Sequence, residues 1–372
     1  MKWLFWASAA TLAYTYLGYA GWLWMRSRWR PLPVRAGSYT PFVSIVLVVR
    51  NEASVLEGKL RNLMSVDYPE NSYEIVVASD GSNDGTNEIL ARYSRDHGIR
   101  VIVKPKSRGK AAGLNDVILA AKGEIIVFTD ARQEVEPAAV RLLAEDFADS
   151  TVGCVSGELM LGDREIGEAT TRMGLYWRIE KSIRELESAS GSVVGATGAL
   201  YAVRRGLLVD VPPETILDDV YIPMNVVRQG YRVVFDSRAR AWDLADQAER
   251  EFSRKVRTLS GNYQLLQIAP WLLSGQNPIR FEFVSHKLLR LIAPFAMLTA
   301  LVTSLMIGQP IYRVALALQL GLYGLCVVGM TRLARGSLAH IADAAFTFVV
   351  LNTAAAVAFA HFVTGRRVAW GG

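Results

Sequence analysis

Four polar clusters interrupt apolar runs, and each carries groups that a phosphorylated ligand requires. They are Arg50-Asn51-Glu52, Asp80-Gly81-Ser82-Asn83-Asp84-Gly85-Thr86, Lys106-Ser107-Arg108-Gly109-Lys110 and Thr129-Asp130-Ala131-Arg132-Gln133. A nucleotide needs acceptors for its base and ribose, and cations or backbone N–H groups for its phosphates. Asp80 can supply the first, and Arg108 and Lys110 the second. Asp130 can hold a divalent cation on a diphosphate, because hard cations take oxygen ligands.

Each cluster alone has a blander reading. Asp80-Gly81 suits a turn before a helix cap. A calcium loop starting at Asp80 fails, because its twelfth position is Ala91 rather than Glu. A phosphate-binding P-loop fails as well: Gly109-Lys110 has no upstream glycine, and Ala111 stands where Ser or Thr belongs. Asp130 suits a strand-end cap. The chemical reading prevails because the four clusters follow successive strands.

Those strands are expected at Val43–Val49, Tyr73–Ala78, Arg100–Val103 and Glu124–Thr129. Helical spacing is expected over Ser54–Val66, Gly85–His97, Lys110–Ala121 and Glu165–Glu187. Alternation of this kind predicts an α/β fold with a mostly parallel sheet covered by helices. Ligands of such sheets bind beyond the carboxyl ends of the strands, where the four clusters fall.

The flanking sequence is of another kind. The 372 residues are 51% hydrophobic, with a mean hydropathy of +0.20. Trp3–Met25 is uncharged and long enough for a transmembrane anchor, and Arg26, Arg28 and Arg30 follow it. That asymmetry predicts that the next domain is cytoplasmic. Further spans are expected at Leu288–Gly308, Ile311–Met330 and Ile341–Val363, with an amphipathic stretch at Tyr263–Leu273. The expected organisation is an anchor (1–25), a basic linker (26–42), a cytoplasmic domain (43–262), an interface segment (263–284) and a membrane region (285–372). Four full spans would put Arg366 and Arg367 outside, against the charge rule, so either the tail breaks it or one segment does not cross. The net charge of +6 lies largely beside the apolar runs, so no nucleic-acid partner is expected. Two distant cysteines, Cys154 and Cys326, build neither a disulfide framework nor a zinc site.

The run Ser44–Thr86, with Arg50-Asn51-Glu52 and Asp80-Gly81-Ser82, resembles a family 2 glycosyltransferase with the GT-A fold. Lys106–Asn115 is similar to that family's basic stretch, and Gly195-Ala196-Thr197-Gly198-Ala199-Leu200-Tyr201 to its acceptor-side loop. Leu217-Asp218-Asp219 is similar to its catalytic motif. The layout of the membrane segments resembles membrane-integrated polysaccharide synthases. The resemblance implies that Arg50, Asn51, Glu52, Asp80, Gly81, Ser82, Lys110, Asp130, Arg132, Arg254 and Arg257 bind a nucleotide-sugar, UDP-linked by expectation. It implies that Gly195, Thr197, Gly198 and Tyr201 line the acceptor side, and that Asp130 holds Mg or Mn. Asp219, beside Asp218, would be the general base of an inverting transfer to a hydroxyl-bearing glycan or lipid.

Two departures stand out. The family's Asp-x-Asp metal motif is here Asp130-Ala131-Arg132. The synthases' Gln-x-x-Arg-Trp is here Arg254-Lys255-Val256-Arg257-Thr258, which keeps the arginine and loses the tryptophan. The expected setting is the bacterial inner membrane, multi-pass, in cell-surface polysaccharide or glycolipid synthesis, with export left to a partner. Two rival readings are transfer to a polyprenyl phosphate and an inactive nucleotide-binding scaffold.

Overall fold

The computed structural model describes residues 1–164, 167–168, 174–243, 248–331 and 335–366. Its helices are α1 Lys2–Ala13, α2 Tyr19–Trp29, α3 Ala53–Met64, α4 Thr86–His97, α5 Lys110–Ala120, α6 Ala139–Asp146, α7 Gly174–Ser190, α8 Asp218–Arg228 and α9 Ala248–Ile268. Then come α10 Arg280–Phe283, α11 Leu289–Met306, α12 Pro310–Thr331 and α13 Ser337–Val363. The strands are β1 Val43–Val49, β2 Tyr73–Asp80, β3 Arg100–Lys104, β4 Ile125–Thr129, β5 Glu134–Val135, β6 Val152–Asp163, β7 Gly167–Glu168, β8 Leu200–Arg204 and β9 Arg232–Asp243.

One sheet carries the order β3-β2-β1-β4-β8-β6-β9-β5, with β7 paired to β6. The first four strands are parallel, and β8 enters antiparallel to β4, Leu200 opposite Thr129. The loop before β8 therefore reaches the same rim as Asp130. β1 sits inside because it is apolar but for Ser44, whose hydroxyl is satisfied by Glu74, as suits a strand covered on both faces. Val43, Ile45, Leu47 and Val49 pack under α3, α4 and α6, through Leu56, Leu60, Leu90 and Leu143. Val46 and Val48 face the other layer, where Leu114 and Val117 of α5 meet Ile222 and Val226 of α8. At about 25 cal/mol per Å2 of apolar surface removed from water, these two layers supply the main driving force for the domain.

The expected helix over 165–187 differs at its start. Gly167 and Glu168 pair with Asp163 and Gly162, and the helix begins at Gly174; residues 165, 166 and 169–173 lie outside the described residues, as do Arg332 and Arg367. The expected domain boundary at 262 falls inside α9, which runs unbroken from Ala248 to Ile268.

Three helices are long and apolar enough to cross a membrane: Arg280–Met306, Pro310–Thr331 and Ser337–Val363. The expected N-terminal anchor is not among them. The helix runs from Lys2 to Trp29 through a π-helical turn at Tyr14–Gly18, with right-handed helical backbone at both junctions. α1 packs along α11, Phe5 against Ala300, and Arg26 of α2 forms an ion pair with Glu282 of α10.

Candidate active site

Lys110 opens α5 and is the junction of the site. Its ammonium lies 3.0 Å from Asp130 Oδ1 and 3.3 Å from Asp218 Oδ2. Burial alone would lower its pKa, but Asp130 and Asp218 outweigh that and hold it charged. Asp219 stands beside this bridge, half-buried. Burial, then the charge of Asp218, pushes its carboxyl up to about 6.

Gly198 separates the two sides of the site. A Cβ there would lie 3.5 Å from both Asp130 Oδ2 and Asp219 Oδ2, so the carboxylates flank a bare patch of backbone. Its loop is tied to the catalytic motif, because Ala196 N–H donates to Asp219 O at 2.7 Å. Thr197 N–H donates to Ser156 Oγ at 3.1 Å. Gly195 adopts φ +89° against Val220.

Asp80 departs from expectation. It is 1% exposed, and its carboxylate accepts from Ser107 Oγ, Arg108 N–H and Gly109 N–H at 2.7, 2.8 and 2.9 Å. It shapes the basic loop rather than presenting an open acceptor. Gly81 lets that loop close in: with φ +70°, its Cβ would sit 2.4 Å from Ser107 N, so no side chain fits. The first two clusters interlock. Asn51 N–H donates to Ser82 Oγ at 3.1 Å, and Asn83 N–H donates to Asn51 Oδ1 at 2.9 Å. Asn51 itself holds φ 55°, and Arg50 precedes it directly after β1.

Arg132 points outward, its Nε 3.4 Å from Glu52 Oε2. Arg254 reaches Asp243 at 3.4 Å, which also accepts from Gln133 Nε2 at 2.8 Å. Arg257 instead lines a cavity with Arg108 and Lys110. Tyr201 is a correction to its acceptor-side placement. It is 1% exposed and stacks on Phe128 with ring centroids 4.5 Å apart, because β8 turns it into the core.

Several supporting residues escaped the sequence reading. Lys59 is buried under the Asp130 turn and donates to Thr129 Oγ1 at 2.9 Å and Gln133 O at 2.6 Å. Its signal was a lysine inside the Leu56–Leu60–Leu63 stripe of α3. Arg184 of α7 donates to Ala196 O at 3.2 Å and so braces the loop before Gly198. Glu180 of α7 is buried. His286 bridges it to Glu187, at 3.0 and 2.8 Å, and Tyr19 OH donates to Glu187 at 2.6 Å. Although burial opposes it, Arg290 and His286 hold the Glu180 carboxyl well below its usual range.

Among the described residues no group of three or more His, Cys, Asp or Glu forms a metal cage. Asp130 still fits a cation that takes one or two carboxylates and completes its shell with substrate phosphates and water.

A sheet of this order, with carboxylates and a lysine gathered at one rim, defines an α/β domain of the GT-A type. Residues 44–211 match the family described as "Glycosyl transferase family 2"; the chain carries a glycosyltransferase family 2 domain. It is 25% identical over 229 residues to the poly-beta-1,6-N-acetyl-D-glucosamine synthase of Staphylococcus epidermidis, covering 60% of this chain and 55% of that protein. The Staphylococcus aureus (strain COL) synthase is 23% identical over the same length. The chain thus spans about half (55%) of the curated relatives it matches. The solved mannosyltransferase PcManGT from Pyrobaculum calidifontis, in complex with GDP-Man and Mn2+, is 22% identical. It superposes with a TM-score of 0.74 over 98% of this chain and 100% of its own, a likeness of fold.

Proposed function

We propose that the protein transfers a hexosyl group, with inversion, from a nucleotide diphosphate sugar to a hydroxyl of a glycan or glycolipid. The observation that carries this is the pairing of Asp219 with Asp130 across Gly198, with Lys110 bridging Asp130 and Asp218. Asp219 takes the proton of the acceptor hydroxyl as its oxygen bonds to the anomeric carbon. The bond from that carbon to the diphosphate breaks on the opposite face, and the electron pair leaves on the phosphate oxygen. Lys110 and Arg257 stabilise the charge that develops there. Asp130 would hold a divalent cation, which when bound supplies Lewis-acid stabilisation of the leaving diphosphate, and Asp219 stays free to accept the proton. The relatives named for poly-N-acetylglucosamine synthesis and the mannosyltransferase fold support a hexose donor and a cell-surface glycan product.

The test is a donor screen on the full chain in detergent, with UDP-N-acetylglucosamine, UDP-glucose and GDP-mannose, each with Mg, with Mn or with chelator. One donor is consumed, and Asp130→Ala abolishes its consumption. Consumption of none by the wild-type chain overturns the reading.

We also propose that the domain lies on the cytoplasmic face of a bacterial inner membrane, with α11 and α13 crossing it. The continuous helix of α10 and α11 leaves the domain: Glu282 of α10 meets Arg26 at one end, and Ala300 of α11 meets Phe5 towards the other. α12 starts at that far level, where Tyr312 packs on Phe5 with ring centroids 4.8 Å apart. α13 ends at the domain, where Phe362 stacks on Tyr263 of α9 at 5.2 Å. In this arrangement Arg366 returns to the catalytic side, and the conflict with the charge rule disappears.

A further inference from the structure

Between α10 and α11 the helix widens into a π-helical turn at Val284–Leu288. Phe283 before the turn and Leu288 at its end pack in one apolar cluster with Leu217 and Val220, the residues on either side of Asp218-Asp219. Lys287 lies on this turn, next to Leu288, and is half-buried. It is close enough to Asp219 for its charge to act on that carboxyl, against the burial and the Asp218 charge that raise it.

The charged groups around Lys287 are Glu180, Arg184, Arg290 and Asp219. All but the base are already engaged. Arg290 donates to Glu180 at 2.7 Å, His286 bridges Glu180 to Glu187, and Arg184 donates to Ala196 O. The Lys287 ammonium makes no hydrogen bond or ion pair among the described residues, and it is not sealed from its surroundings. A cation drawn out of bulk water is costly unless paired, and Asp219 must stay free for the acceptor's proton. The open partner is an anion that arrives with the acceptor.

The helix also says from which side it arrives. After Arg290 it is uncharged from Leu291 to Met306. Phe295 and Leu298 are exposed, and their spacing from Lys287 repeats on its face of the helix. A ligand matching both features carries a phosphate at the level of Lys287 and a hydrocarbon chain below it.

We infer that Lys287 binds the phosphate of a lipid-linked acceptor, holding a sugar of that lipid against Asp219 while its tail runs along α11. The acceptor role rests on the proposed hexosyl transfer; the phosphate site is read from Lys287 itself. The nucleophile remains a sugar hydroxyl, and the lipid phosphate is a handle rather than the reacting group. A bilayer phospholipid or free phosphate carries the same charge, so the experiment separates these sources.

The full chain in detergent, with its Lys287→Met and Lys287→Arg variants, is titrated with farnesyl phosphate, farnesol, phosphatidylglycerol and inorganic phosphate, with and without UDP or GDP. The wild-type chain binds farnesyl phosphate in preference to the other three, whether or not nucleotide is present. Lys287→Met weakens that binding about tenfold, the effect of one lost charge-assisted hydrogen bond. Lys287→Arg retains it, and both variants bind nucleotide as the wild-type chain does. Farnesyl phosphate binding that is absent, indifferent to Lys287→Met or displaced by UDP overturns the inference. Equal binding of phosphatidylglycerol or inorganic phosphate overturns the assignment to an acceptor lipid. With the donor that the wild-type chain consumes, labelled sugar enters the organic phase of a membrane extract; label confined to water-soluble product overturns the acceptor role. Should no donor be consumed, the hexosyl-transfer reading fails, and the dependence of farnesyl phosphate binding on Lys287 still decides the phosphate site.

Discussion

Burial and Asp218 together raise the Asp219 carboxyl to about 6 from the ordinary 3.8, and two measurable effects follow. As a base it works only when ionised, so turnover falls as pH drops through about 6. Asp219→Asn lowers kcat by about 100- to 10,000-fold, the usual contribution of a positioned base. Folding responds with the opposite sense. Between the unfolded and folded values the native state binds the extra proton, so stability falls as pH rises through that window and stays lowered above it. Asp219→Asn therefore melts higher than the wild-type chain at neutral pH while being inactive. A variant that loses both melting temperature and activity would mean that Asp219 is structural. At this scale Asp130 and Lys110 were legible because four polar clusters follow successive strands, and Asp219 through the resemblance of Leu217-Asp218-Asp219 to a catalytic motif. Asp80 and Tyr201 were not, because sequence shows a side chain's type and not whether neighbours have already used its polar atoms.

Lys59 shows what an element does for the site. α3 carries it on its buried face, where it fastens the Thr129–Gln133 turn that bears Asp130. Desolvation lowers its pKa from 10.5 to about 7. Across that window the unfolded chain binds the extra proton, so stability rises with pH from about 7 towards 10.5. Lys59→Met removes this slope, which denaturant midpoints at neutral and alkaline pH read directly, and lowers turnover by releasing the turn. A retained slope would assign it to other groups. The alternation of strands and helices was readable as far as β4, because each strand is apolar and each helix has a stripe. Beyond it, β8 enters antiparallel and β6 pairs with β9 across long separations, and periodicity carries no information about partners. The helix α7 was visible, but the burial of Glu180 and Glu187 was not, because their partners His286, Arg290 and Tyr19 lie about a hundred or more residues away in the chain.

For the whole molecule, the decisive feature is that the membrane region closes back on the catalytic domain. A cysteine placed at Arg366 is expected to label from the same side of the membrane as one in the exposed α4–β3 turn at Gly98. Labelling from opposite sides would mean that α13 does not return. The apolar segments themselves were evident from composition. Their sidedness was not, since hydropathy measures length and polarity and says nothing of tilt or return.

α13 is 27 residues long, about 40 Å of helix against a hydrocarbon layer of about 30 Å, so the proposed crossing requires it to lean or overhang. The same helix carries His361, and the turn that follows it Arg366, to the start of α5. Stretching or thinning the bilayer changes the lean, and a lever pivoting in the lipid would swing its tip across the catalytic face. The donor's KM then becomes a gauge of membrane thickness, higher wherever the lipid draws that tip away.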